Sequence, residues 1–255
     1  MDTWPERLFD LIFFPNINDK LNDLEELAEG ENWNYQNTNS EHHLPILFNY
    51  IQYTYKRLAQ ENKILISENA QNLTFNTGLV TSNQEPIYAV CNINRNSDAS
   101  PWFFQGWRRR GEYEMTKFSD LPLMAHYFDD PSTLVLDARL ELRTNIEHIV
   151  TQNKDRFPEP YKSMDDYAVQ TLIKGAIDNA KERVRRNYKT AIPHFHREKI
   201  QLLLPLCLSN PNTADLALVV EKYGTFYRAS TCLTLDMAYN NARQLARPDR
   251  DWLLP

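Results

Sequence analysis

Residues Ile200 to Leu233 read IQLLLPLCLSNPNTADLALVVEKYGTFYRASTCL. Two short apolar runs, Ile200–Leu208 and Leu216–Glu221, are separated by a polar break rich in Asn and Pro. Lys222-Tyr223-Gly224-Thr225 then turns the chain into a third run, Phe226–Leu233. Runs this short, bounded by turn formers, are strands, and the last two form a hairpin. Their hydrophobicity falls on nearly every position instead of every second one, which predicts central strands covered on both faces.

The covering elements are legible on either side. Asp165 to about Tyr188 predicts a long helix with Val169, Leu172, Ile173, Ala176, Ile177, Ala180 and Val184 on one side. Asp165 and Asp166 stand at its positive end, and Lys181, Arg183, Arg185, Arg186 and Lys189 stand towards its negative end, as the helix dipole favours. Another helix closes the chain near Leu235–Leu245. Upstream, Thr133–Arg143 alternates Leu134, Leu136, Ala138, Leu140 and Leu142 with Val135, Asp137, Arg139, Glu141 and Arg143, the period of a half-buried strand. Further strands are expected at Ile64–Glu68, Leu73–Thr81 and Pro86–Ile93, after a helix from Leu44 to Asn62 that carries Leu47, Ile51, Tyr55 and Leu58. The opening reads as two acidic helices: one runs from near Pro5 to Phe14, and one is capped by Asp19 and ends at Gly30. A polar linker, Glu31–Ser40, comes next. Strands adjacent to strands, bracketed by helices, predict an α+β protein: one domain over residues 41–255, built on a largely antiparallel sheet, with residues 1–40 as an acidic helical appendage.

Composition narrows the function. With 255 residues, 42% hydrophobic and 24% charged, the chain lies in the globular range, which excludes disordered and fibrous classes. Its 6 glycines fall well below the usual frequency of about 7%, which argues against folds defined by glycine-rich phosphate loops. No stretch reaches the roughly 18 uninterrupted apolar residues of a membrane helix, and Asp2, Glu6, Arg7 and Asp10 interrupt any signal core. A cytoplasmic protein is expected. Cys91, Cys207 and Cys232 are too dispersed for a disulfide framework or a close-spaced metal pair. The net charge of −6 is uneven: residues 1–100 carry 6 Lys+Arg against 14 Asp+Glu, whereas residues 101–255 carry 22 against 20. The later part can therefore present a local basic surface to phosphates.

Four constellations carry possible chemistry. In the first, Pro101 to Arg110, Trp102, Phe103, Phe104 and Trp107 run into Arg108, Arg109 and Arg110. Aromatic faces stack on bases and arginines pair with phosphates, the composition of a single-stranded nucleic-acid or nucleotide site. The competing reading is a strand with core aromatics and arginines paired to Glu112 and Glu114. Gly106 and Gly111 imitate a phosphate loop, but Glu112 stands where that loop needs lysine. The second is Asp137 and Glu141 with His148, the candidate catalytic set for proton transfer or a divalent metal; Arg139 and Arg143 between the acids favour a solvated surface instead. The third, His194, His196 and Glu198, is a conceivable but incomplete metal set or a surface turn. The fourth is dispersed: Asn76 beside Gly78, the basic run Arg185-Arg186-Asn187-Tyr188-Lys189, and Asn240-Asn241 with Arg243 in the closing helix. Amides in apolar elements serve a bulge, a cap or a site.

The words Phe75-Asn76-Thr77-Gly78-Leu79, His148-Ile149 with Asn153 and Arg156-Phe157-Pro158, Asn187-Tyr188-Lys189-Thr190-Ala191, Gln201 to Leu206, and Leu235 to Arg243 resemble a family described only as a domain of unknown function. The resemblance spans roughly Leu44 to Leu254. The family is associated with cold-shock-type and LOTUS-type RNA-binding domains on longer chains, so the resemblance implies an RNA-linked role.

The expectation is therefore an RNA- or nucleotide-binding domain. Trp102, Trp107 and Arg108–Arg110 would supply stacking and charge, and Asn76, Arg156, Arg186, Lys189, Arg228, Asn240 and Arg243 would complete a groove. No cofactor is called for, although a divalent metal is compatible. The alternatives are an enzyme cleaving a phosphoester or phosphoanhydride of RNA or a nucleotide with Glu141, Asp137 and His148, and a protein-interaction module docking through residues 1–40, in which the aromatics of 102–107 would be buried.

Overall fold

The computed structural model describes residues 4–96, 99–248 and 252–253, and among them ten strands fall into two five-stranded sheets. The chain divides into two compact units, Met1–Tyr35 with Ser40–His126, and Gln36–Asn39 with Tyr127–Pro255. Met1 to Thr3 of the acidic opening lie outside the described residues.

The first unit contains α1 (Leu8–Leu11), β1 (Ile12–Phe13), α2 (Ile17–Leu27), α3 (Pro45–Gln60), β2 (Leu65–Ile66), β3 (Asn72–Val80), β4 (Pro86–Ile93) and β5 (Trp102–Arg109). Its sheet order is β1-β5-β4-β3-β2, antiparallel except for β1 on β5. Pro45 starts α3 where its missing N–H is harmless, and the expected stripe Leu47, Ile51, Tyr55 and Leu58 is fully buried, with Tyr55 edge-on to Phe75 at 6.0 Å. Strand β3 bulges after Asn76, where Gly78 takes φ +74° and a Cβ would stand 2.7 Å from the Tyr50 hydroxyl. The opening segment differs from its expected two helices. The first is a single turn, after which Ile12 and Phe13 pair with β5, and α2 starts after Asn16, ahead of Asp19.

The second unit contains β6 (Glu141–Thr144), α4 (Ile146–Asn153), α5 (Asp166–Arg186), β7 (Ile192–His196), β8 (Lys199–Leu206), β9 (Leu216–Tyr223), β10 (Phe226–Leu233) and α6 (Leu235–Arg243). Its order is β6-β10-β9-β8-β7, with only β6 on β10 parallel. Strands β8, β9 and β10 are central, as their composition requires. Leu202, Leu204, Leu206, Leu218 and Val220 share one core with Val169, Ile173, Ile177 and Val184 of α5. Leu203, Ala217 and Val219, of opposite parity, are buried as well, and α6 packs on β7, β9 and β10. Asp236, buried in the first turn of α6, accepts hydrogen bonds from Asn37 Nδ2 at 3.0 Å and Thr38 Oγ1 at 2.8 Å.

The α+β class and the antiparallel bias stand, with the strands shared between two sheets instead of gathered in one. The expected strand Thr133–Arg143 is mostly absent: Pro131–Leu134 is a 3-10 turn, and only Glu141–Thr144 joins a sheet. Asp137 turns the chain, its carboxylate accepting from the Arg139 backbone N–H at 3.1 Å. The alternating leucines arise because Leu136, Leu140 and Leu142 each pack on the core edge, although only Leu142, in β6, is strand-paired. Among the described residues no helix is long and apolar enough to cross a membrane.

Candidate functional site

Where α5 ends, Asn187 caps both directions. Its N–H reaches Arg183 O at 2.8 Å, and its side-chain oxygen accepts from Lys189 N at 3.1 Å, starting a single 3-10 turn at Tyr188–Thr190. Trp252 fastens that turn by donating Nε1–H to Thr190 O at 2.8 Å. The chain then enters β7 through Ala191 and Ile192. Opposite, Thr234 caps α6 by accepting from Met237 N, and Ala242 lies on the buried face of that helix. Tyr188, Lys189 and Ala191 to Pro193, with Ala242, Leu245 to Pro248, and Leu134-Val135, together wall a cleft of about 340 Å³. Ala191, Ile192 and Ala242 are buried; Tyr188, 62% exposed, Lys189 and Arg247 stand at the mouth. The lining is otherwise aliphatic or proline. One aromatic face and two cations over an apolar base can hold a flat apolar group bearing an anion.

The model of one family, a domain of unknown function (DUF3825), matches residues 24–252. The chain belongs to this family. No curated protein and no solved structure matches it. The DUF3825 match takes in the whole cleft, and two of the five words that carry the resemblance, Asn187–Ala191 and Leu235–Arg243, reach its walls.

Of the expected ligand residues, Lys189 lines the cleft, Arg186 is exposed in the last turn of α5, and Asn240 and Arg243 lie on the wall helix α6. The others are elsewhere. Trp102 and Trp107 are buried in the first unit, where Trp107 donates to Lys20 O at 2.6 Å and lies 4.6 Å from the ring of Phe104. Indoles in a core cannot stack on a base, so they are corrected to structural residues; of the aromatics in that stretch only Phe103 is exposed, beside Phe13. Arg108 Nε lies 3.0 Å from Glu114 and Arg109 Nε 2.9 Å from Glu112, the competing reading of this segment. Arg110 is exposed in the following turn. Asn76 is buried, bonding Gly78 N and Pro122 O across the bulge. Arg156 Nη1 donates to Asn153 Oδ1, Thr231 Oγ1 and Cys232 O, which ties α4 to β10. Arg228 is exposed on β10, beside Arg143 and Glu221 of the neighbouring strands.

The expected catalytic set does not assemble. Asp137 is held by both Arg139 nitrogens at 2.8 Å, which pull its carboxyl down to about 2, unsuited to a general base near neutrality. Glu141 pairs with Arg143 at 2.7 Å, and His148 is exposed on the first turn of α4. Among the described residues no three of His, Cys, Asp and Glu are grouped to hold a metal. His194 and His196 do share one face of β7, while Glu198 lies in the turn beyond it. His194 is buried with neither ring nitrogen hydrogen-bonded, and burial pushes it down to about 3, with His196 adding to the shift. Sequence reading passed over Tyr188 and Arg247. Tyr188 lies within a word that carries the family resemblance, but nothing in the Arg247-Pro248 pair signals a cleft wall.

Proposed function

We propose that this chain binds single-stranded RNA or a nucleotide, and that the contact is the cleft beneath Tyr188, Lys189 and Arg247. The observation that carries this reading is the juxtaposition of one exposed aromatic ring and two cationic side chains with a buried apolar base. A base stacked on an aromatic side chain gains about 1–3 kcal/mol without regard to its identity, and the cations answer the phosphate. Arg186, exposed at the end of the helix that leads into the cleft's turn, adds a further cation two residues from Tyr188. The stacking role assigned in the sequence to Trp102 and Trp107 passes to Tyr188.

The test is a titration of the full chain with labelled single-stranded RNA and with mononucleotides at two salt concentrations. Binding that weakens with salt is expected. Tyr188→Ala should lower affinity about tenfold, the scale of one lost stack, and leave the melting temperature unchanged because the ring is exposed. Replacing Lys189 and Arg247 should flatten the salt dependence by roughly 0.7 per lost phosphate contact. Wild-type protein that binds neither probe at either salt sinks the reading.

A further inference from the structure

We infer that the cleft is an end pocket: it takes one terminal nucleotide of an RNA, base inward and phosphate at the mouth, and does not thread a continuous strand. The inference rests on the proposed RNA or nucleotide binding and narrows it to a ligand class.

Size is the first argument. The cleft, at about 340 Å³, stands near the lower end of the roughly 300–1,000 Å³ spanned by small-ligand pockets. Sequence-tolerant strand binders instead track about 4–16 nucleotides along a groove. The second argument is where polarity lies. Ala191, Ile192 and Ala242 are buried at the base, and the polar side chains of the lining are those of Tyr188, Lys189 and Arg247 at the mouth. A phosphate drawn past that mouth would lose its water and find no cation, which is costly. An internal nucleotide carries phosphate on both sides, so seating its sugar together with its base in the cleft would draw one of the two into the apolar region. A terminal nucleotide has one such side, and its free end can go in. Because the base of the cleft presents only aliphatic and proline side chains, it grips the face of the nucleobase and not its edge, so affinity should not depend on which base is terminal.

The experiment compares full-length protein binding to three forms of one short RNA: linear with a terminal phosphate, linear with hydroxyl ends, and covalently circular. Nucleoside monophosphates serve as competitors. The expected result is that the hydroxyl-ended linear form binds at least about tenfold tighter than the circle, the scale of one charged group desolvated without a partner, and that a phosphate on the inserted end removes the advantage. Monophosphates of any base should displace it, and Tyr188→Ala should erase the preference. Equal binding of the circle and the hydroxyl-ended line would overturn the end pocket and leave RNA binding standing. Binding of monophosphates without RNA would also overturn it, leaving a nucleotide site. If no probe binds, the reading of the cleft fails and takes the end pocket with it.

Discussion

Two stretches of this chain set aromatic beside basic residues and meet different fates. Trp102–Arg110 places four aromatics ahead of three arginines, and Arg183–Lys189 places one tyrosine among three arginines and a lysine. In the first, strand parity sends Trp102 and Phe104 into the core, and Arg108 and Arg109 meet Glu112 and Glu114 just past the strand end. In the second, a capped helix end stops the chain, and the 3-10 turn leaves Tyr188 and Lys189 at a cleft mouth. The fate of a basic aromatic run is thus set by its immediate neighbours. Carboxylates past the strand end hold Arg108 and Arg109, whereas in the second stretch Arg185 pairs back with Glu182 and the cap and turn bring Tyr188 and Lys189 to the cleft.

The sharpest way to break this contrast is to exchange the fates of the two aromatics. Trp107→Ala, removing a side chain only 6% exposed, should cost about 3–5 kcal/mol of unfolding free energy in denaturant titration, with RNA affinity unchanged at temperatures where the variant is folded. A loss of affinity out of proportion to unfolding would restore the tryptophan to the site. Arg156, assigned to a groove by composition, should behave structurally too. Arg156→Ala removes the donor shared by Asn153, Thr231 and Cys232 and should cost about 1–3 kcal/mol, measured the same way, without changing the salt slope of binding.

Acid provides a third test, this time of the buried imidazole on β7. His194 has a folded value near 3 against an ordinary 6.5, so the unfolded chain takes up a proton first as pH falls. Stability attributable to neutral His194 is complete above 6.5 and declines through the window down to about 3. The slope has an upper limit of about 1.4 kcal/mol per pH unit for one proton. His194→Phe should remove that component of acid unfolding; an identical acid limb in wild type and variant would show that the imidazole is not desolvated. The smallest effect belongs to the triple replacement of Arg108, Arg109 and Arg110 by alanine. Exposed ion pairs such as Arg109–Glu112 contribute about 0–1 kcal/mol, the half-buried Arg108–Glu114 pair adds to that, and affinity for RNA should move by no more than about twofold, the residue of lost long-range charge. A flattened salt dependence in that variant would return the strand to the binding surface.

Much of the fold was legible because periodicity reports burial directly. The stripes of α3 and α5, except Leu172, which is exposed, and the apolar runs that became β8, β9 and β10 lie where their spacing places them. Thr133–Arg143 misled because alternation is satisfied equally by a strand and by an irregular segment that lays successive leucines on a core edge. Nothing in the local pattern separates one sheet from two, since that depends on which strands pair across long separations. The candidate site was half legible. Lys189 and the end of α5 could be read from charge and capping, whereas Arg247 and the aliphatic base of the cleft depend on tertiary packing of α6 against β7.

The hydrogen bonds from Asn37 and Thr38 to Asp236 also govern how the protein can be dissected. Residues 36–39 belong to the second unit, although the chain on both sides of them belongs to the first. Any fragment cut at the 126/127 boundary therefore removes both donors from a carboxylate that is 2% exposed. A fragment starting at residue 127 lacks both side-chain donors to Asp236 at the foot of the cleft's wall helix. Fragments meant to isolate the cleft would have to carry those four residues back in, for instance by circular permutation.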